Sequence, residues 1–353
     1  MSTRSLGLVA VVGVCLSLAA IVAADDHGLR YPIMQPDRPT LDRWVGDYLA
    51  APRLDLPDGA PMPQRGSLNL LDHLQYTPAQ HNQGNCGNCW AWAGTGVLGI
   101  ALDFAGVHDR LSVQYLDSCW LSDWACCGGW LSDFASFYTF DVTAAIPWSN
   151  TNAQWQDGNR TCADGSSQVV CGSIATSPDY PITSVNDLSI TTTGVAQTTA
   201  IANIKNVLDQ NQAVWLAFYL ADAADWGVFF DFWSYQPETA IWDPDYSCGH
   251  TFIDGEGGGH AVLVVGYDDN DPDPANHYWL VLNSWGTAGG GRPNGLFRMA
   301  MDIDYSCTYQ WGSWTYDSLL WQTLDVSFQV GEPPLFADGF ETGDWSRWSD
   351  VMP

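Results

Sequence analysis

Nine cysteines, at positions 86, 89, 119, 126, 127, 162, 171, 248 and 307, follow an N-terminal segment built like a secretory leader. Arg4 precedes an apolar run from Leu6 to Ala24, and small residues close that run before Asp25 and Asp26. This pattern predicts cleavage after Ala24 and marks residues 1–24 as a signal peptide. A tenth cysteine, Cys15, leaves with the leader. Export places the rest in an extracellular or periplasmic setting, where cysteines pair. Nine is odd, so one thiol is left over. Four disulfides and one reactive thiol account for the set. Zinc held by Cys86 and Cys89 is the rival, but no second pair with that spacing exists.

The charge narrows what such a chain binds. Its 353 residues carry 40 acidic groups against 12 basic ones, a net charge of −28, and Lys205 is the only lysine. A nucleic-acid partner needs a basic face to displace phosphate counterions, which excludes that class. Docking on anionic lipid is disfavoured on the same ground. With 46% hydrophobic and 13% aromatic residues, the chain can bury a full core. No segment after the leader is apolar for long enough to span a bilayer. A monomer is expected.

Residues 25–65 are rich in Pro and Asp, with one helical patch near Leu41–Leu49. They read as a linker or short prosegment that shields a site until removed. From 66 to 325, apolar segments and turn signals alternate without a low-complexity break, as in one domain. Residues 326–353 read as a final edge strand plus a frayed tail. The tail's Asp338-Gly-Phe-Glu resembles C-terminal segments of secreted bacterial proteins.

The leftover thiol has a clear candidate. Gln83 to Asn88 form a glycine-punctuated turn, after which Cys89 opens a helix-compatible run to Phe104. A thiol in the first turn of a helix sits at the positive end of the macrodipole, which favours thiolate. Its own N–H is free of helical pairing and can meet a developing oxyanion, with the Gln83 amide as second donor. A thiolate needs a base. His260 opens the apolar strand Ala261-Val-Leu-Val-Val-Gly-Tyr267, and Asn283 ends a second strand, Tyr278–Leu282. An imidazole on one strand, oriented by a carboxamide on the next, is the arrangement that nucleophilic catalysis asks for.

Together these segments resemble the papain family of cysteine peptidases. Cys86-Gly-Asn-Cys-Trp90 is similar to its Cys-Gly-Ser/Ala-Cys-Trp/Tyr signature, with Asn88 in place of Ser or Ala. His260-Ala-Val and Asn283-Ser-Trp-Gly286 resemble its other motifs, with Gly259 where Asp or Asn is common. Leu111-Ser-Val-Gln and Cys126-Cys-Gly-Gly129 resemble two more. Gly289 stands near where the family often carries a Trp on the leaving-group side. His260 lies 171 positions after Cys89, beyond the roughly 130–150 typical of the family, which places extra length in residues 140–200 and 221–259.

The resemblance implies an α+β, papain-like two-subdomain fold, with a helical half and a β-barrel-like half around an active-site cleft. It implies Cys89 as nucleophile, His260 as base, Asn283 as orienter and Gln83 in the oxyanion hole. Gly128, Gly129 and Trp285 line the substrate site, and the substrate is a polypeptide. No metal or organic cofactor is called for. Three disulfides follow from the resemblance, Cys86–Cys126, Cys119–Cys162 and Cys248–Cys307. Cys127 and Cys171 are left for each other, and the Cys119/Cys127 and Cys162/Cys171 assignments are exchangeable. The expectation is a secreted bacterial cysteine peptidase. Two other classes stay open: an amide or isopeptide acyl transferase, including a cell-wall amidase, and a catalytically silent surface-binding homologue.

Overall fold

The computed structural model describes residues 31–57, 59–63 and 66–329. The leader and the tail from residue 330 onward lie outside the described residues. Helices α1 Arg38–Ala50, α2 Cys89–Phe104, α3 Val113–Cys119, α4 Leu131–Ser136, α5 Gln197–Asp209 and α6 Ala223–Tyr235 occur in that order. The strands are β1 Ser67–Asn69, β2 Ala144–Ala145, β3 Tyr180–Ser189, β4 Val214–Leu220, β5 Ile241–Trp242, β6 Gly258–Asp268, β7 Tyr278–Leu282, β8 Leu296–Ala300, β9 Thr308–Trp311, β10 Trp314–Asp317 and β11 Leu319–Phe328. The architecture is α+β, as expected.

Nine strands form one sheet, ordered β2-β3-β11-β4-β6-β7-β8-β5, with β1 added against β6; β9 and β10 make a separate hairpin. Among the described residues this sheet is open, so the expected barrel-like half is an open, twisted sheet. Strands β4 and β6 are continuous apolar runs because both faces are covered. Helix α2 lies along β6, where Gly96 admits Leu263: a Cβ there would sit 2.5 Å from Leu263 Cδ2. This close approach explains a glycine in a buried helix, where propensity alone disfavours it.

Both ends of the described chain join the body of the fold. Strand β11 runs to Phe328 and lies inside the sheet, pairing β4 through Leu319–Gln322 and β3 through Gln322–Phe328. Residues 326–328 are therefore the end of β11, paired with β3 on one side alone. At the other end, residues 31–57 pack into the same core as the rest. Helix α1, capped by Asp37 on Thr40 N, buries Leu41, Trp44 and Tyr48. Trp44 stacks on Trp130 at 5.7 Å, and Tyr48 Oη donates to Ile190 O. No helix among the described residues is long and apolar enough to cross a membrane.

Candidate active site

Cys89 is the first residue of α2, directly after the N-cap position Asn88. Asn88 does not cap the helix with its side chain; its Nδ2 donates instead to Asp117 Oδ1 of α3 at 2.9 Å. Asp117 in turn shares a hydrogen bond with Asp157, and burial, with that neighbouring carboxylate, holds its pKa well above the usual range. The departure from Ser or Ala at position 88 thus has a partner of its own. The loop before α2 is braced by the Cys86–Cys126 disulfide and by Asn85 N–H donating to Gly158 O at 2.7 Å.

Two strands supply the imidazole and its orienter. His260 and Asn283 are both fully buried, and the imidazole Nε2–H donates to Asn283 Oδ1 at 2.8 Å. A carboxamide oxygen only accepts, so this contact leaves His260 Nδ1 as the proton acceptor. Nδ1 is buried and has no hydrogen-bond partner among the described residues. The next residue, Ala261, donates its N–H to Cys89 Sγ at 3.3 Å, which sets the sulfur beside the imidazole's own strand. Trp285 stacks on His260 with centroids 4.2 Å apart and keeps water from the His–Asn bond.

Gln83 is held from the motif that carries Asn283. Ser284 O accepts from Gln83 N–H at 2.8 Å, and Ser284 Oγ donates to Gln83 Oε1 at 2.6 Å. This fixes the carboxamide so that its Nε2 faces the nucleophile loop, donating to Cys86 O at 2.7 Å. The positioning role of Ser284 escaped the sequence reading; its signal was the intact four-residue match around Asn283.

The cleft is covered by the start of the arm. Met34 pairs with Gly259 as an antiparallel bridge, with both N–H···O bonds at 2.8 Å. Met34 also lies against Gly128: a Cβ there would be 3.3 Å from Met34 Cβ. Pro32 O accepts from Gln83 Nε2 at 3.4 Å, and Tyr31 stacks on Trp285 at 4.6 Å. Gly128 thus lies against the arm, whereas Gly129 packs on the indole of Trp90. Under this cover Cys89 is fully buried. Burial pushes the Cys89 thiol up to about 12, against the backbone N–H groups that lower it. Burial also pulls His260 down to about 3, although Asn283 favours the charged ring. The pair is neutral while covered.

A family model described as papain family cysteine protease matches residues 72–314, well over half of the chain. The chain belongs to the papain family of cysteine proteases. It is 30% identical over 265 residues to Cathepsin B-like CP2 of Giardia intestinalis, covering 72% of this chain and 74% of that protein. It is 29% identical over 248 residues to Digestive cysteine proteinase 2 of Homarus americanus, covering 69% and 64%. Digestive procathepsin L2 from Tenebrio molitor shares the fold, with a TM-score of 0.52 at 21% identity over 83% of this chain and 77% of that one. These relatives are eukaryotic, so the expected bacterial source is not supported. The protein is a thiol protease, a hydrolase of polypeptides.

Four disulfides brace the protease, and two differ from the expected map. Cys86–Cys126 and Cys248–Cys307 form as expected. Cys119 pairs with Cys171, and Cys127 with Cys162, the exchange of the other two. The physical reason is local: the turn Ala125–Cys127 buries Cys126 toward Cys86 and leaves Cys127 beside the turn Cys162–Asp164. Cys89 is the one free thiol among the described residues. Another histidine, His250, stands about half exposed with Nδ1 3.1 Å from the Asp225 carboxylate.

Proposed function

We propose that the protease is secreted after loss of residues 1–24 and cleaves peptide bonds with Cys89, His260, Asn283 and Gln83 as its catalytic group. His260 Nδ1 takes the Cys89 proton, and the thiolate sulfur attacks the peptide carbonyl carbon. The carbonyl oxygen becomes an oxyanion between Cys89 N–H and Gln83 Nε2–H. As the tetrahedral species collapses, the C–N bond breaks and His260 gives its proton to the leaving amine. Water then attacks the thioester, His260 accepts its proton, and the acid product leaves with the thiol restored. Asn283 holds the ring with Nδ1 toward the sulfur throughout.

The observation that carries this reading is the set of short contacts from Ala261 N to Cys89 Sγ and from His260 Nε2 to Asn283 Oδ1, with Ser284 aligning Gln83. Acyl transfer to another amine uses the same thiol and imidazole, but the curated relatives and the family model carry protease names. Residues 31–35 act as a cover in this reading, holding the pair neutral until water and substrate enter. The test compares His260→Ala with Asn283→Ala. The first should abolish peptide hydrolysis, at least about 10³-fold in kcat, because the base reacts. The second should cost less, about 10–100-fold, because it orients. Equal kcat for wild type and His260→Ala would remove His260 from the mechanism.

A further inference from the structure

An open recess of about 450 Å³ lies beside the Gln83 loop. It is lined by Ala79, Asn82 and Gly84 on one hand and by Trp148, Trp155 and Gln156 on the other. The latter three come from the stretch that carries part of this chain's extra length.

We propose that this recess is a leaving-group subsite that selects polypeptides with an aromatic side chain a few residues beyond the scissile bond. The proposal rests on the hydrolytic reading above and extends it. The cleft axis is drawn by the arm itself: Met34 sits at the Gly128 and Gly259 end, Pro32 reaches Gln83, and Tyr31 lies on Trp285. The proposal places the acyl side at the Gly128 end, so that the leaving amine departs toward Trp285. Asn82, which lines the recess, is bridged to Trp285 through the backbone, which sets the recess next to that end of the cleft.

Its chemistry fits an aromatic ring. Trp155 is held edge-on by Trp92 at 5.5 Å, and the Arg110 guanidinium stacks 3.4 Å over Trp148. Arg110 is itself fixed by Gln80 Oε1 at 2.6 Å. Two immobilised indoles present rigid apolar faces at low entropy cost. No carboxylate lines the recess, although the chain carries a net charge of −28. The carboxamides of Asn82, Gln154 and Gln156 at the wall suit the backbone of a neutral peptide. The volume accommodates one large side chain with its backbone.

The test uses the full chain with its cover loosened by Tyr31→Ala and Met34→Gly, which leaves α1 in place. Alkylation of Cys89 by iodoacetamide first establishes that the cleft is open. Internally quenched peptides with one acyl side then carry Phe or Ala at each of the three positions after the scissile bond. A peptidyl aryl amide, with no residue beyond that bond, is measured beside them. We expect kcat/KM for Phe to exceed Ala by about 10-fold at one position, the worth of an aromatic pair. That ratio should fall toward one in Trp155→Ala and in Ala79→Trp, which fills the recess from an exposed residue without removing packing. A flat ratio in the parent protein, or an unchanged ratio in both variants, overturns the subsite while aryl-amide cleavage leaves the hydrolytic reading standing. An alkylatable Cys89 with no cleavage of any substrate overturns that reading and the subsite with it.

Discussion

The arm from residue 31 to 57 meets the rest of the protease in two ways. Tyr31–Gln35 lies extended in the cleft, held by two backbone hydrogen bonds to Gly259, side-chain hydrogen bonds from Gln35 to Gly255 O and between Tyr31 and Ser234, a long contact to Gln83, ring contacts with Trp285 and Phe230, and the burial of Ile33 and Met34. Helix α1, three residues later, drives Leu41, Trp44 and Tyr48 into the core and ties its surface with Arg43 to Asp133 and Tyr316 to Asp42. Burying each large side chain of that kind contributes roughly 1.5–3 kcal/mol, whereas a backbone hydrogen bond exchanged with water contributes about 0.5–1.5. Tyr31–Gln35 buries Ile33 and Met34, and α1 buries Leu41 and the larger Trp44 and Tyr48, so α1 is the more strongly anchored part of the arm. A prosegment reading that removes all of residues 25–65 as a unit strips the core of two buried aromatics.

Substitutions separate the two parts. Trp44→Ala should show the largest effect, a loss of about 3–5 kcal/mol in urea unfolding from the cavity beside Trp130. A loss below about 1 kcal/mol would return α1 to the status of a loose prosegment. Tyr31→Ala with Met34→Gly should also lower the unfolding free energy, because Met34 is fully buried, and should open the cleft. The Cys89 thiol, pushed up to about 12 under cover, and His260, pulled down to about 3, are both neutral between pH 4 and 8. Water admitted by the loosened cover favours the thiolate–imidazolium pair. Iodoacetamide should then label Cys89 about 100-fold faster at pH 6 than in the intact chain, because the thiolate is the nucleophile. Equal rates would mean that Tyr31–Gln35 does not limit access.

The proposed catalytic residues were legible in the sequence because each stands in a short motif whose chemistry is local. Gln83 precedes the nucleophile by six positions, Cys89 starts its helix, and His260 and Asn283 sit at strand ends. The arm was not legible in this way. Tyr31-Pro-Ile-Met-Gln35 has neither helical nor strand periodicity, and its partners Gly259, Gly128 and Trp285 are more than 90 positions away in the chain. The helical patch near Leu41–Leu49 was read, but not that Trp44 faces Trp130, since period alone does not choose a partner. The adjacent pair Cys126 and Cys127 offers two thiols one residue apart, and only the turn between them decides which reaches Cys86 and which Cys162. The edge strand read past residue 325 is the end of β11, and its partner β3, more than 130 positions upstream, was not legible.

The smallest expected effect concerns a region that neither part of the arm touches. Asp117, beneath Asn88, has a raised pKa from burial and from Asp157. The folded protein thus keeps this proton to higher pH than the unfolded chain does. Its contribution to stability is complete below the unfolded carboxyl value and is lost as pH rises toward the folded one. Asp117→Asn, which keeps an acceptor for Asn88, should therefore flatten the fall in unfolding free energy measured from pH 4 to 8. An unchanged slope would show that Asp117 is ionised in the native state, and labelling of Cys89 in the loosened chain should be the same in both proteins.

Cleavage of a quenched peptide by the loosened full chain, with and without Cys89→Ala, is the most direct test of the site beneath the cover. The account predicts that the alanine protein, folded and with its four disulfides intact, loses at least about 10⁴-fold in kcat/KM, as removal of a covalent nucleophile does. Undiminished hydrolysis by the Cys89→Ala protein would contradict it.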